Sequence, residues 1–168
     1  MINKSIQNRR SVRAYSDQPV ARELIEEIIK AAQFSPSAMN SRAWEFVVLE
    51  DQADKDKLFA AMDEKSRLAF IKTAPFVIIP LVNNTKSVLP VQDLSIAIEG
   101  MFMQITELGL GSVWKNVQVA EAEVIKTAFD IPENFTLLAL LPIGYSAQDL
   151  PAHTDAEFDA AKIHWHKF

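Results

Sequence analysis

At 168 residues the chain is the size of one ordinary domain, long enough to bury roughly two-thirds of its unfolded surface without staples. The absence of cysteine removes disulfides, thiolate metal sites and cysteine nucleophiles together, and fits a reducing, cytoplasmic setting. With 17 basic and 22 acidic residues, a net charge of −5 opposes nucleic acid and anionic membranes as partners, so any anion site must be local.

No repeat, low-complexity tract or linker composition interrupts residues 1–168, and a single core is expected. The amino terminus, Met1-Ile2-Asn3-Lys4, shows no signal-peptide run, and the longest apolar stretch, Leu94 to Trp114, carries Glu99, Gln104 and Glu107. That stretch reads as a buried helix plus a strand. Ile2 to Asn8 reads as a short helix ending at Arg9, Arg10 and Arg13, which crowd five residues while the acids are dispersed. Pro19 opens Val20 to Gln33, where Leu24, Ile25, Ile28, Ile29 and Ala32 recur at helical spacing.

Trp44 to Leu49 reads as a strand, Asp51 to Met62 as a helix, and the unbroken apolar run within Pro75 to Val82 as a strand covered on both faces. Asp93 to Leu108 is a helix apolar nearly all round, with Leu94, Ile98, Met101, Phe102 and Ile105 among its residues. Such a helix needs cover on every side, which a partner subunit supplies most simply. Gly109 and Gly111 end it and lead into a short strand at Ser112-Val113-Trp114. A helix near Ala120 to Phe129 and a core strand from Phe135 to Ile143, closing at Gly144-Tyr145, follow. Ala156 to Phe168 is short, partly helical and tipped with Trp165 and Phe168, as a docking arm would be.

Several chemistries drop out. Of the four glycines, Gly109 and Gly111 begin like a dinucleotide fingerprint, but Trp114 stands at the third position and the run follows a helix, not a strand. No phosphate loop of the Gly-Lys-Ser/Thr kind and no Gly-x-Ser-x-Gly elbow occurs. His164 and His166 are two residues apart, which on a helix points them away from each other; with His153 they read as surface or docking histidines. Any chemistry is expected from a cofactor.

Two segments remain. Arg9-Arg10-Ser11-Val12-Arg13 offers guanidinium forks and a hydroxyl suited to a phosphate, and if extended it places Arg9, Ser11 and Arg13 on one face. A solvated basic turn is the plain alternative. Ser35 to Trp44 is rich in small polar side chains that can approach a flat heterocycle, and a plain helix-to-strand loop is its alternative.

Arg-Arg-Ser-Val-Arg, the Leu-x-x-Ile-Ile-x-Ala-Ala helix, Ser-Pro-Ser-Ala-x-Asn-x-x-x-Trp-x-Phe and Leu-Gly-Leu-Gly-Ser-Val-Trp together resemble the FMN-dependent nitroreductase family in content, order and spacing, from about Ser5 to Tyr145. The resemblance implies an α+β fold, a central mixed β-sheet flanked by helices, in a homodimer with a buried central helix. It implies that Arg9, Arg10, Ser11 and Arg13 grip the FMN phosphate and ribityl chain. Pro36, Ser37, Ala38 and Asn40 would reach the flavin of the other subunit, with Arg42 near its pyrimidine edge, and Trp114, Lys115 and Asn116 would lie beside the ring. Leu141 to Tyr145 resembles the family's last core strand.

Three features set the chain apart. Arg42-Ala43 stands where the family commonly has Gln-Pro; Ala156 and Glu157 stand near the place of a C-terminal basic residue, for which His153 is a substitute; and the connection Asn83 to Gln92 leaves little room for a lid. The implied activity takes hydride from NADH or NADPH and reduces small nitroaromatic or quinone acceptors by a ping-pong scheme, with no catalytic side chain and no metal. Arg42 or Lys115 would favour the anionic reduced flavin. A reductive dehalogenase, or a different flavin reductase or dehydrogenase, on the same fold and a non-catalytic FMN store or redox sensor are the other readings.

Overall fold

The computed structural model describes residues 2–62 and 68–168. Helices α1 (Lys4–Asn8) and α2 (Arg22–Gln33) precede strand β1 (Trp44–Leu49); α3 (Gln52–Ala60) and α4 (Ala69–Thr73) lead to β2 (Phe76–Asn83). The long α5 (Pro90–Glu107) is followed by β3 (Gly111–Ser112), β4 (Lys115–Asn116), α6 (Val119–Ala128), β5 (Phe135–Leu137) and β6 (Ala139–Gly144). The sheet runs β1-β2-β6-β3, with β5 beside β2 and β4 beside β6. Pairings between these strands are antiparallel, and among the described residues the parallel element is a single bridge between Ser11 and Ser112.

β2 is buried at all eight positions because helices cover both faces of the sheet. Phe76, Ile78 and Val82 join the core beneath α2 and α5, while Val77, Ile79 and Leu81 join a second core beneath α3, α4 and α6. The two-residue side-chain period of a strand divides the run in this way. Pro80, which has no amide hydrogen, falls where β2 has left β6 at Ile78 and not yet met β5 at Leu81. α2 and α5 approach closely at Gly100, where a Cβ would lie 2.5 Å from Ser35 Oγ.

β1 matches its expected span, but the Phe135–Ile143 strand is two. Leu138 separates β5 from β6 and its carbonyl accepts from the Val117 amide at 3.0 Å instead. The strand expected at 112–114 is likewise split, with β3 ending at Ser112 and β4 beginning at Lys115. α5 starts at Pro90, earlier than its apolar stripe suggests, since proline suits the first helical position. After two short 3-10 turns, Asp155–Glu157 and Ala160–Lys162, the C-terminal arm leaves Phe158, Ile163, Trp165 and Phe168 exposed.

Candidate functional site

Arg9 caps the C-terminus of α1 in an extended conformation, and the chain then runs against β3. The Val12 amide donates to the Ser112 carbonyl at 2.9 Å, and Gln148 Oε1 accepts from the amides of Arg13 and Ala14 at 2.8 and 3.1 Å. The Tyr15 hydroxyl donates to the carbonyls of Val12 and Pro142, both at 3.0 Å. Burial pushes that phenol well above its ordinary range, against the pull of Arg13, so it stays a neutral donor. Gly111 permits the close approach, because a Cβ there would stand 2.5 Å from Val12 Cγ2.

The pinned segment walls a cleft lined by Asn8, Arg9, Arg10, Phe102, Ser112 and Gln148, among others. Among the described residues, the Arg9 guanidinium has no ion-pair or hydrogen-bond partner. Ser11 and Arg13 are exposed and lie outside the cleft lining. Arg9 is extended and partly covered, Val12 is buried, and Ser11 and Arg13 on either side of Val12 are exposed. Among the described residues the Arg13 guanidinium reaches only the Ser11 carbonyl, at 3.5 Å.

Arg10 is held from the C-terminal side. Its Nε donates to the Pro151 carbonyl at 2.6 Å, one terminal nitrogen lies 3.0 Å from His153 Nδ1, and Glu157 sits 2.5 Å from that same ring nitrogen. The His153 amide donates to the Gln7 carbonyl at 2.8 Å. The hydrogen bond from His153, helped by the Thr154 amide, holds the Glu157 carboxyl below its usual range. The Pro151 carbonyl and the Glu157 carboxylate paired with His153 thus hold Arg10 at the rim of the cleft, a pairing across more than a hundred residues with no local signature in the sequence.

The second segment is anchored elsewhere. Asp93, buried in the first turn of α5, accepts from the Ala38 amide at 2.8 Å, the Ser87 hydroxyl at 2.6 Å and the Ser41 hydroxyl at 3.3 Å; its carbonyl accepts from Trp44 Nε1 at 3.0 Å. The Ser37 hydroxyl accepts from the Arg42 amide at 3.0 Å, and Arg42 Nε donates to Asn40 Oδ1 at 3.0 Å. Met39, Asn40 and Arg42 adopt φ of 55°, 54° and 47°. Left-handed backbone at three residues without a glycine is strain of order 1–3 kcal/mol each, maintained by the surrounding bonds. Pro36 and Asn40 are exposed, while Ser37 and Ala38 are partly covered. Asp93 escaped the sequence reading; its signal is an acid in the first turn of a largely apolar helix, three residues after Pro90.

Beside β6, Trp114 is half-buried against the core, and Asn116 is exposed opposite Ala139. Lys115 is ion-paired within the chain. Its ammonium lies 3.1 Å from the buried Glu121 carboxylate and also donates to the Asn116 carbonyl, so its charge is compensated within the chain. Arg42, exposed on its loop, keeps an uncompensated charge among the described residues.

The structure thus brings Arg9 and Arg10 together at the C-terminal half of α5 and Ser37, Ala38, Asn40 and Arg42 together at its N-terminal turn. Asp93 and Ile105, which mark these two ends, are roughly 18 Å apart along the helix axis. Among the described residues no helix is long and apolar enough to cross a membrane, and no group of three or more His, Cys, Asp or Glu is placed to hold a metal.

Comparison with known proteins gives this arrangement its context. The model of the Nitroreductase family matches residues 6–67 and 60–145. A Methanothermobacter thermautotrophicus protein bearing the provisional name NADH dehydrogenase/NAD(P)H nitroreductase is 35% identical over 98% of this chain and 86% of its own. The Bacillus subtilis FMN reductase [NAD(P)H] is 27% identical over 86% of this chain and 65% of its own. The solved structure of an FMN-dependent nitroreductase from Clostridium difficile superposes with a TM-score of 0.90, 30% identity and 98% of each chain covered. Motifs at Arg9–Arg13, Ser35–Trp44 and Leu108–Trp114, the antiparallel sheet around β2 and these matches agree: the chain belongs to the nitroreductase family.

Proposed function

We propose that the protein is an FMN-dependent oxidoreductase that takes reducing equivalents from NADH or NADPH and passes them to small nitroaromatic or quinone-type acceptors. The observation that carries this reading is the Arg9 guanidinium, unpaired among the described residues, in a cleft walled by the arginine segment and by Gly111 and Ser112. The donor set fits the cofactor: Arg9 and Arg10 suit a phosphate, and the Ser112 hydroxyl at the cleft has no partner among the described residues. Bound FMN supplies two-electron hydride chemistry, which asks no acid or base of the side chains.

The chain's residues bind, orient and shield. Arg9 and Arg10 hold the phosphate end, with Ser11 and Arg13 beside them; Trp114 and the backbone of Lys115 and Asn116 flank the ring. Arg42, not the neutralised Lys115, offers the positive charge that favours electron-rich flavin. Pro36, Ser37, Ala38 and Asn40 complete the site from a second subunit. The separation of the two half-sites along α5 supports this, since a two-fold partner crossing α5 would lay one chain's loop against the other's cleft.

Homodimerisation has further support in the apolar surface around α5. Val88 is 69% exposed, Ile96 44% and Phe34 76%, and Ile6 and Met103 share a groove with Phe34. With the bare arm at Phe158, Ile163, Trp165 and Phe168, this is more apolar surface than a monomer needs. Sedimentation at low micromolar concentration is expected to show a dimer burying upwards of ~2,000 Å². A monomer with flavin fully bound would overturn the shared site.

The functional test is spectroscopic. The purified protein is expected to show flavin absorbance that bleaches on anaerobic addition of NADH or NADPH and returns with a nitroaromatic or quinone. Bound flavin that neither nucleotide reduces would make the protein a flavin store or sensor instead. Because donor and acceptor use one exposed face in turn, double-reciprocal plots are expected to be parallel. Intersecting lines would show both substrates bound together.

A further inference from the structure

Among the described residues, one buried side-chain nitrogen or oxygen has no hydrogen-bond partner in the protein: the Oγ of Ser112. The residue is 3% exposed. Its backbone is committed on both sides, to Ile143 of β6 and, through the parallel bridge, to the arginine segment. Ile143 belongs to the core beneath α5, and residues paired across strands leave a sheet on the same face, so the Ser112 side chain also turns toward α5. There it lines the same cleft as Arg9, Arg10, Phe102 and Thr106.

An unsatisfied buried hydroxyl is expensive, on the order of 1–3 kcal/mol, and calls for a physical reason. Packing supplies none, since alanine would fill nearly the same volume beside the apolar cleft residues Phe102, Ile105 and Leu110 without the polar atom. The neighbours that do bear on the hydroxyl's role are cationic. Arg9 has no partner among the described residues, and Arg10 is held at the rim by Pro151, beside His153. Two guanidinium groups and a free hydroxyl converging on one cleft make a donor set for a tetrahedral oxyanion.

We propose that Ser112 is a cofactor-binding residue whose hydroxyl donates to a phosphate oxygen of FMN, held between Arg9 and Arg10; this rests on the FMN reading above. Its signature is an inversion: the side chain burdens the apoprotein and helps the holoprotein. A serine kept for the fold would do the reverse.

The test uses Ser112→Ala and Ser112→Cys, the second keeping a side-chain atom in place with a weaker donor. In the flavin-free protein, the thermal midpoint of Ser112→Ala is expected to equal or exceed that of the wild type. FMN affinity, read by flavin fluorescence quenching, is expected to fall roughly 5- to 20-fold in Ser112→Ala and less in Ser112→Cys, with riboflavin affinity unchanged in both. Unchanged FMN affinity would mean that solvent satisfies the hydroxyl; equal losses for FMN and riboflavin would place the contact away from the phosphate; a lower apoprotein midpoint would make the serine structural. Each overturns the assignment while leaving the function standing. A wild-type protein that binds no FMN at all would overturn both.

Discussion

Asp93→Ala is expected to destabilise the protein by roughly 2–4 kcal/mol, because it withdraws a carboxylate from three donors at once and leaves the Ala38 amide and the Ser87 hydroxyl without partners. The loss is concentrated in one place. The bonds to Asp93 hold a loop in which Met39, Asn40 and Arg42 sit at positive φ, and released backbone returns toward ordinary conformations. Denaturant unfolding measures the global term, and hydrogen exchange at residues 37–42 measures the local one. Asp93→Asn keeps one acceptor oxygen but turns an amide donor toward groups that themselves donate, so an intermediate loss is expected. A loss within about 0.5 kcal/mol for Asp93→Ala would show that the loop holds itself.

This residue also marks where sequence reasoning stops. β1 is legible residue for residue because Trp44 to Leu49 carries its own strand pattern, and the buried character of β2 follows from an apolar run that only a doubly covered strand can hide. The arginine segment and the Ser35–Trp44 loop are legible as motifs. Which of their side chains meet is not. Arg10 is engaged by Pro151 and His153, Lys115 by Glu121, and the loop by Asp93, and each partner is chosen by tertiary packing rather than by local spacing. The short α4 is missed for a different reason: five residues, Ala69 to Thr73, are too few to display a helical period. The break at Leu138 is likewise invisible, since the Val117 amide that takes its carbonyl comes from the far side of α6.

Such selection among side chains gives the arginine segment a sharper test than its composition could. Arg9→Ala is expected to weaken FMN binding by about 10- to 150-fold, corresponding to the loss of a charge-assisted contact worth roughly 1.5–3 kcal/mol. Arg9 is preferred to its neighbours because it lines the cleft with no partner among the described residues to release, whereas Arg10 must be shared with Pro151 and His153 and Arg13 stands outside the lining. Arg13→Ala is therefore expected to produce the smaller loss. Riboflavin lacks the phosphate, so its affinity should be low in the wild type and change little in Arg9→Ala; the two ligands and two proteins form a cycle that separates the phosphate contact from damage to the fold. Raising the salt concentration should weaken FMN in the wild type more than in Arg9→Ala, because the contact is ionic and the cleft is open to solvent. Fluorescence quenching at two salt concentrations supplies every arm of the measurement. Equal losses for FMN and riboflavin would reduce Arg9 to a support of the helix end, and no loss for either would return the whole segment to a solvated basic turn.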